Sequence, residues 1–327
     1  MPEELQVRQA GIAAITDLGR RGLARRGVPV NGAADQYSAA VANILVGNPR
    51  SAPLIEITAT DFALSTTRPV LVSVTGAPAD VTINNHLGRM WEPLCLEPGT
   101  TIRAAAPTGG LRCYLAVHGT IDAPTVFDSC APDSLLGVGT QLATGATIGL
   151  RSDYRPVDHP VFRHPLFCLG AVPPRFPDPC TIDVTDGPDI AEFPTGRELL
   201  ASATYAVTPR SNHIGLRLAG PVPPRSSSAE VLSRGIPVGA VEVPPSEELL
   251  VLQRGRPVTA GYPVIAVATK IAQDALGQLR PGQHLRFRYR TVADAVATHR
   301  ARQHRLRTLA NRVGTVFTAL GISCRTA

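Results

Sequence analysis

Lysine is nearly absent from this chain: Lys270 is its only one, and the other 31 of its 32 basic residues are arginine. A Schiff-base or P-loop lysine would have to be Lys270, and no G-x-x-x-x-G-K-[ST] segment precedes it, which excludes a Walker-type nucleotide site. Aromatics are scarce too, with 8 Phe, 6 Tyr and 1 Trp. The formal net charge of +6 therefore lacks the interleaved rings of a nucleic-acid surface, and no nucleic-acid partner is expected. The six cysteines, Cys95, Cys113, Cys130, Cys168, Cys180 and Cys324, form no C-x-x-C pair, so neither a metal site nor a disulfide framework is expected. No apolar run reaches about 18 residues, so no membrane span is expected. The opening MPEELQVRQAG has acids where a secretory signal wants a basic then apolar stretch. Together these absences predict a reduced, cytoplasmic protein.

What is present is apolar and rich in turns. Hydrophobic residues make up 44% and charged residues 18%, the balance of a globular chain, and 327 residues suffice for about two domains. The 29 glycines and 30 prolines are spread along the whole length, which favours many short strands over long helices. The first 30 residues read as loop. Residues 35–47 read as a helix: Asp35 is a candidate N-cap, Tyr37, Val41, Ile44 and Leu45 share a face, and Gly47-Asn48-Pro49 is a stop. From 54 to 150 the period changes to two, with strands at LIEIT, VLVSVT, DVTIN, TTIRAA, LRCYLAV and ATIGL, and PTGG at 107–110 reads as a hairpin turn.

The expected organisation is a β-rich domain over 1–155, a proline-rich linker over 156–178, and a second strand-rich domain over 179–290. Short helices are expected near 190–201 and 271–279, and a basic helix and tail over 291–327. The fold class is mainly β, a β-rich α+β chain.

The densest unusual segment is 15–48, where glycines at 19, 22, 27 and 32 alternate with Asp17, Arg20, Asn31, Asp35, Asn43 and Asn48. Such a segment either pins itself through side chain to backbone hydrogen bonds or brings N–H groups to an anion, and both readings stay open. Glu56 lies in an apolar strand, where a carboxylate needs a partner: an ion pair or a substrate. Cys130 has no nearby base in the sequence and reads as a buried thiol.

The runs T-D-L-G-R-R-G (16–22), G-V-P-x-N-G-A-A-D (27–35), A-N-x-L-V-G-N (42–48) and L-I-E-I (54–57) resemble the opening of the biotin-dependent carboxyltransferase-like family. V-T-G-A (74–77), R-C-Y-L-A-V-H-G (112–119), G-L-R-L (215–218), G-A-V-x-V-P (239–244), A-G-Y-P-V-I-A-V (260–267) and Q-L-R-P-G-Q-x-L-R-F (278–287) extend the resemblance over about residues 8–290. The family includes the C subunit of 5-oxoprolinase, allophanate hydrolase subunit 2, the carboxyltransferase region of urea amidolyase and the regulator KipA.

The resemblance implies a cyclophilin-like β-barrel architecture in two domains. It implies a KipI-like partner (allophanate hydrolase subunit 1 or the B subunit of 5-oxoprolinase), a LamB/YcsF-like third subunit and a small amide substrate. No cofactor is expected on this chain alone; the complex would use ATP, or receive carboxybiotin from another protein. Two further roles stay open, a non-catalytic KipA-like regulator and a carboxyltransferase acting on urea or a related amide. Asp17, Arg20, Asp35 and Glu56 are the candidate catalytic residues. Gly19, Gly32, Asn43, Asn48, His213, Glu242 and Tyr262 are the candidate substrate-binding residues.

Several family positions are altered. Gly119-Thr120 stands for a double glycine, Ser129-Cys130-Ala131-Pro132 and Gly139-Thr140 stand where arginines are expected, His213 replaces an arginine, and Glu242 replaces a glutamine. The T-T-G-G-Y-P segment is reduced to Val258-Thr259-Ala260-Gly261-Tyr262-Pro263. Losing guanidinium groups predicts weaker grip on an anionic intermediate.

Overall fold

In the computed structural model, residues 3–158, 161, 165–245 and 248–325 are described, and they begin in a strand. In β1 (Glu3–Gln9) Leu5 and Val7 are buried while Glu4 and Arg8 face solvent. β2 (Ala13–Thr16) follows. The expectation of an opening loop therefore fails for residues 3–16. The crowded glycines and arginines that suggested it lie at 19–27, and the period-two pattern just upstream is the stronger signal.

Two units divide the chain: Met1–Gly19, Gln36–Arg175 and Gln303–Ala327 form the first, Arg20–Asp35 and Phe176–Arg302 the second. This differs from the expected division in three ways. Residues 20–35 belong with the later strands, the final 25 residues belong with the first unit, and much of the proline-rich stretch is not a linker. Proline removes regular hydrogen bonding but not packing: Phe167 and Leu169 are buried, the Leu169 N–H donates to Glu92 Oε2 at 2.9 Å, and Phe167 meets Phe317 with ring centroids 5.9 Å apart.

The first unit adds β3 (Leu54–Thr58), β4 (Phe62–Thr66), β5 (Val70–Gly76), β6 (Val81–Ile83), β7 (His86–Gly88), β8 (Pro93–Leu96), β9 (Thr101–Ala104), β10 (Arg112–Val117), β11 (Thr120–Ile121), β12 (Thr140–Gln141) and β13 (Thr147–Arg151). They form two antiparallel sheets, in the orders β11-β13-β1-β4-β9-β6-β7 and β12-β2-β3-β10-β5-β8. Leu5, Val7, Leu64 and Ile102 from the first sheet share one core with Ile15, Ile55, Val74 and Leu115 from the second. Truncating Ile55 to alanine here would cost about 2–5 kcal/mol.

PTGG at 107–110 is not a hairpin turn. It joins β9, paired with β4 and β6, to β10, paired with β3 and β5 in the other sheet. Turn residues mark a reversal, but they do not say which sheet the next strand joins.

The outer face of the second sheet carries α1 (Gln36–Leu45). Along β5, Val70, Val72 and Val74 enter the core, while Ser73 Oγ and Thr75 Oγ1 donate to the α1 carbonyls of Ala42 (2.7 Å) and Ser38 (2.8 Å). Two buried faces explain why the strand is apolar throughout except for these two hydroxyls.

The second unit contains β14 (Cys180–Asp186), α2 (Gly196–Ser202), β15 (Tyr205–Val207), β16 (Gly215–Ala219), β17 (Arg234–Gly235), β18 (Ala240–Glu242), β19 (Glu248–Leu252), β20 (Thr259–Ala260), β21 (Val264–Ala268), α3 (Ala272–Leu276) and β22 (His284–Tyr289). Seven of these strands close a barrel in the order β14-β21-β18-β19-β16-β15-β22, sealed by parallel pairing of β14 with β22. Closure leaves no open edge. Ile182, Leu218, Val241, Val251 and Phe287 fill the interior. β17 and β20 make a separate two-stranded ribbon above a small apolar cluster of Ile236, Ala240, Leu252 and Val264. The chain is thus mainly β with a closed barrel, as the resemblance implied.

α4 (Val292–Ala319) runs six residues beyond the basic segment that suggested it ended near Val313, with Leu306, Leu309, Val313 and Phe317 buried. Among the described residues no helix is long and apolar enough to cross a membrane.

Candidate functional site

In the first unit the singled-out polar residues are saturated. Asp17 Oδ1 accepts from the Gly19 N–H and Ser129 Oγ, each at 2.7 Å, and Oδ2 accepts from the Cys130 N–H at 2.9 Å. Gly19 itself takes a left-handed φ of 83°, which lets its N–H turn back on the carboxylate. Asp17 therefore fastens its own loop to the 129–130 segment. Cys130 takes part through its backbone, and its side chain is buried.

Asn48 Nδ2 donates to the Val117 carbonyl at 2.8 Å while its Oδ1 accepts from the Gly119 N–H at 2.9 Å. Asn43 Nδ2 donates to the Ala52 carbonyl at 2.8 Å. These two amides hold the chain where it leaves α1. Glu56 takes the ion-pair alternative: Oε2 accepts from Tyr114 Oη at 2.9 Å, and Oε1 lies 3.5 Å from Arg112 Nε, both from adjacent β10.

The second unit gathers the rest. Residues 20–35 are laced to the barrel through backbone and side chain. The Arg20 N–H donates to the Val30 carbonyl at 2.7 Å, and the Asn31 N–H to the Arg254 carbonyl at 3.1 Å. Arg254 Nε donates to the Ala34 carbonyl at 3.2 Å, and Gln278 Nε2 to Asp35 Oδ2 at 3.0 Å. Arg20 and Asp35 are both buried. Gly255 has no room for a side chain, because a Cβ there would meet His213 Cδ2 at 2.6 Å and Asn31 Oδ1 at 3.1 Å. Gly277 is likewise pressed against Ala34, whose carbonyl oxygen would lie 2.6 Å from a Cβ. Arg20, Asn31, Gly32, Asp35 and His213 thus share one neighbourhood of the barrel unit, with His213 exposed at its rim.

Glu242 is the exception to saturation. On β18 it follows Val241, which points into the barrel, so its own side chain lies on the opposite face, beside cross-strand partners Leu250 and Val264. It is 1% exposed, and Oε1 has no hydrogen-bond partner among the described residues. Burial pushes its carboxyl up to about 7. Arg256 is also buried: Nε donates to the Ile236 carbonyl at 3.0 Å, Nη1 finds no partner among the described residues, and burial lowers its pKa. Both side chains border the small cluster under the ribbon, one through Ile236 and the other through Val264 and Ala240. Tyr262, between that ribbon and β21, is 42% exposed.

Sequence reasoning missed Arg254, Arg256, Asp274 and Gln278. Asp274 Oδ1 accepts from Arg254 Nη2 at 3.0 Å and Oδ2 from Arg302 Nη1 at 2.7 Å. The signal was present in Q-R-G-R-P at 253–257, two arginines closing an apolar strand. Among the described residues no group of His, Cys, Asp and Glu is arranged to hold a metal. A pocket of about 550 Å³ in the first unit, lined by Ile83, His86, Leu87, Arg89, Leu94 and Phe167 among others, contains none of the singled-out residues.

Glu242 Oε1 can accept and Arg256 Nη1 can donate a further hydrogen bond, each at its own buried position. A carboxyl with its pKa near neutrality can also move a proton at working pH.

The carboxyltransferase domain, subdomain A and B, matches residues 26–289. The chain is 28% identical over 311 residues to the C subunit of the 5-oxoprolinase of Escherichia coli (strain K12), covering 94% of this chain and 98% of that protein. It is 29% identical over 292 residues to the urea amidolyase of Saccharomyces cerevisiae, covering 82% of this chain but 16% of that enzyme. The crystal structure of the K. lactis urea amidolyase superposes with a TM-score of 0.84 at 25% identity, over 94% of this chain and 20% of that one. Sandwich, barrel and motif segments thus follow one shared pattern, and this chain belongs to the carboxyltransferase domain, subdomain A and B, family.

Proposed function

We propose that this chain is the carboxyltransferase-like subunit of an ATP-dependent amide-hydrolysing complex of the 5-oxoprolinase/allophanate hydrolase type. Its partners in this reading are a KipI-like subunit and a LamB/YcsF-like subunit, in the cytoplasm, with ATP consumed elsewhere in the complex. The observation that carries the reading is the correspondence with the C subunit of 5-oxoprolinase over nearly the whole of both chains. The barrel unit supports it with Glu242, a buried carboxyl raised to about 7 whose Oε1 has no partner among the described residues and so can bond an amide N–H. Arg20, Asp35, Gly32, His213 and Tyr262 complete the proposed substrate region in that unit. Asp17, Gly19, Asn43, Asn48 and Glu56 hold backbone and sheet in place in the other.

The altered positions set the substrate apart. Cys130, Thr140 and His213 supply no fixed cation, and each charge-assisted hydrogen bond given up is worth roughly 1.5–3 kcal/mol. The substrate in this reading is an amide less anionic than 5-oxoproline. The test is co-expression with the neighbouring KipI-like and LamB/YcsF-like proteins, followed by gel filtration and ATP hydrolysis with 5-oxoproline and with neutral lactams. Co-elution with stronger stimulation by a neutral amide supports the reading. Separate elution of all components at micromolar concentration overturns it. Robust turnover of 5-oxoproline would keep the complex and overturn the substrate assignment.

A second reading is carboxyl transfer from carboxybiotin on another protein to urea or a related amide. It is favoured by the shared fold with urea amidolyase along 94% of this chain. Carboxybiotin-dependent carboxylation of urea, measured without ATP, would select it.

A further inference from the structure

In the sandwich unit the first sheet ends at β7 and the second at β8, and both of these terminal strands line the cavity of about 550 Å³. Ile83 and Leu94 in its wall also pack against the sandwich core, so the cavity continues the gap between the two sheets. Pro165, Leu166 and Phe167 form a further wall. That wall is fastened: Phe167 rests against Phe317, and the Leu169 N–H just beyond donates to Glu92 Oε2 at 2.9 Å.

The lining sorts by position along β8. Glu92 and Glu97 flank that strand at its two ends, about 16 Å apart at about 3.3 Å per residue. At the Glu97 end, Thr100 Oγ1 donates to the Glu97 carbonyl at 2.7 Å and the Thr101 N–H to Asn84 Oδ1 at 3.0 Å, which brings the β6–β7 turn and His86 there. At the other end Gly88 pairs with Val81, and Arg89 follows it toward Glu92. Each end of the slot thus has one basic and one acidic side chain. Between them, Leu87, Pro93, Leu94, Cys95, Leu166 and Phe167 are uncharged among the described lining residues. Cys95 belongs with the apolar set, since burial raises its thiol pKa and its Sγ lies 3.3 Å from Tyr154 Oη. A charge along the middle would find no partner, and a charge of either sign at an end would meet a like one.

We propose that this slot binds an uncharged, elongated small molecule, an apolar chain with a hydrogen-bonding group at each end. The volume falls within the range of small-molecule sites, which are likewise mostly apolar with a few polar groups. Two large apolar side chains of the lining stand in water, Leu87 at 82% and Leu166 at 69% exposed, and a chain lying along the slot covers them. A hydroxyl or amide at either end can donate to a carboxylate and accept from His86 or Arg89. This inference goes beyond the proposed complex and needs none of its partners.

The test titrates the full chain with 1,10-decanediol, with the diacid and the diamine of the same chain length, and with 1,4-butanediol. Binding is followed through backbone amide signals of isotope-labelled protein. The expected result is saturable binding of decanediol with its largest shifts at Leu87, Leu94 and Leu166. The diacid and the diamine should each bind at least about fivefold more weakly, because their charges must be desolvated without a free partner. Butanediol, too short to span the slot, should give no shifts at the same concentration. Leu87→Asp should weaken decanediol by at least about threefold with an unchanged melting temperature, since it sets a carboxylate against the chain. Leu232→Asp, at a site 85% exposed in the barrel unit, should leave binding as it was. Absence of saturable decanediol binding overturns the proposal. So does a diacid or diamine that binds as tightly, which would show selection by charge, or butanediol that does, which would show no use of the slot's length. A Leu87→Asp variant that binds like the unaltered chain overturns it too, by placing the probe elsewhere.

Discussion

Asp17 in the sandwich unit and Glu242 in the barrel unit are both buried carboxylates, and they differ in every other respect. Asp17 receives three hydrogen bonds from its own and a distant loop. Glu242 has an oxygen with no partner among the described residues and a carboxyl raised to about 7. The same contrast separates the units more widely: Asn43, Asn48 and Glu56 are all satisfied, whereas Arg256 in the barrel unit has a donor, Nη1, with no partner among the described residues. A buried polar group that is fully bonded stabilises structure; one that is not has been kept at a cost to stability, and a ligand is the simplest compensation.

The sharpest way to break this comparison is to remove the saturated member. Asp17→Ala strands the donors of Gly19, Ser129 and Cys130, and should destabilise by on the order of 4 kcal/mol. Chemical denaturation measures this directly. A variant with an unchanged midpoint would show that the carboxylate does not pin the loop.

Glu242 should respond with the opposite sign. Its folded carboxyl is raised above the ordinary 4.5, so between about 4.5 and 7 the folded state binds more protons than the unfolded one. Stability from this group is greatest below about 4.5 and falls as pH rises to about 7, by up to roughly 3 kcal/mol from a shift of this size. Glu242→Gln, which restores the family residue, should therefore raise the melting temperature by several degrees at pH 8 and change it little at about pH 4.5. Equal effects at both pH values would mean that the carboxyl has found a partner.

The smallest effect expected is at the C-terminal segment. Ser323 Oγ donates to Asp153 Oδ1 at 2.7 Å and lies 3.2 Å from His118 Nε2, while the Arg325 N–H donates to the Gly47 carbonyl at 2.7 Å. The Ser323 hydrogen bond is the main cause holding Asp153 below the usual carboxylate range, so this interaction is intact above that range and weakens as pH falls through the lowered value. Ser323→Ala should cost less than about 1 kcal/mol. It should speed hydrogen exchange at Arg325 with no change at Tyr114, which is buried in the sheet core. Faster exchange at both residues would point to global loosening.

Local patterns carried much of this architecture. Period-two runs located β3, β5, β6, β9, β10 and β13 but not β1 or β4, and a 3.6-period face with a glycine-asparagine-proline stop located α1. The motif order was enough to suggest the family. Asn43 and Asn48 stood in the sequence as candidate substrate-binding residues, and only their hydrogen bonds to Ala52, Val117 and Gly119 show them fastening the chain. Glu56 was legible only as a choice between ion pair and substrate, because Arg112 is remote in sequence and becomes its neighbour only through β3–β10 pairing.

Composition and spacing by themselves determined that the chain is strand-rich, lacks a P-loop and carries one lysine to which an amine role could fall. Only the tertiary structure decided which unit owns residues 20–35, which sheet follows PTGG, and which buried charges are satisfied. The reason is that hydrogen-bond saturation is a non-local property. Asp17 is satisfied in large part by donors at 129 and 130, far along the chain, and Asp274 by Arg254 and Arg302, which are 20 and 28 residues away.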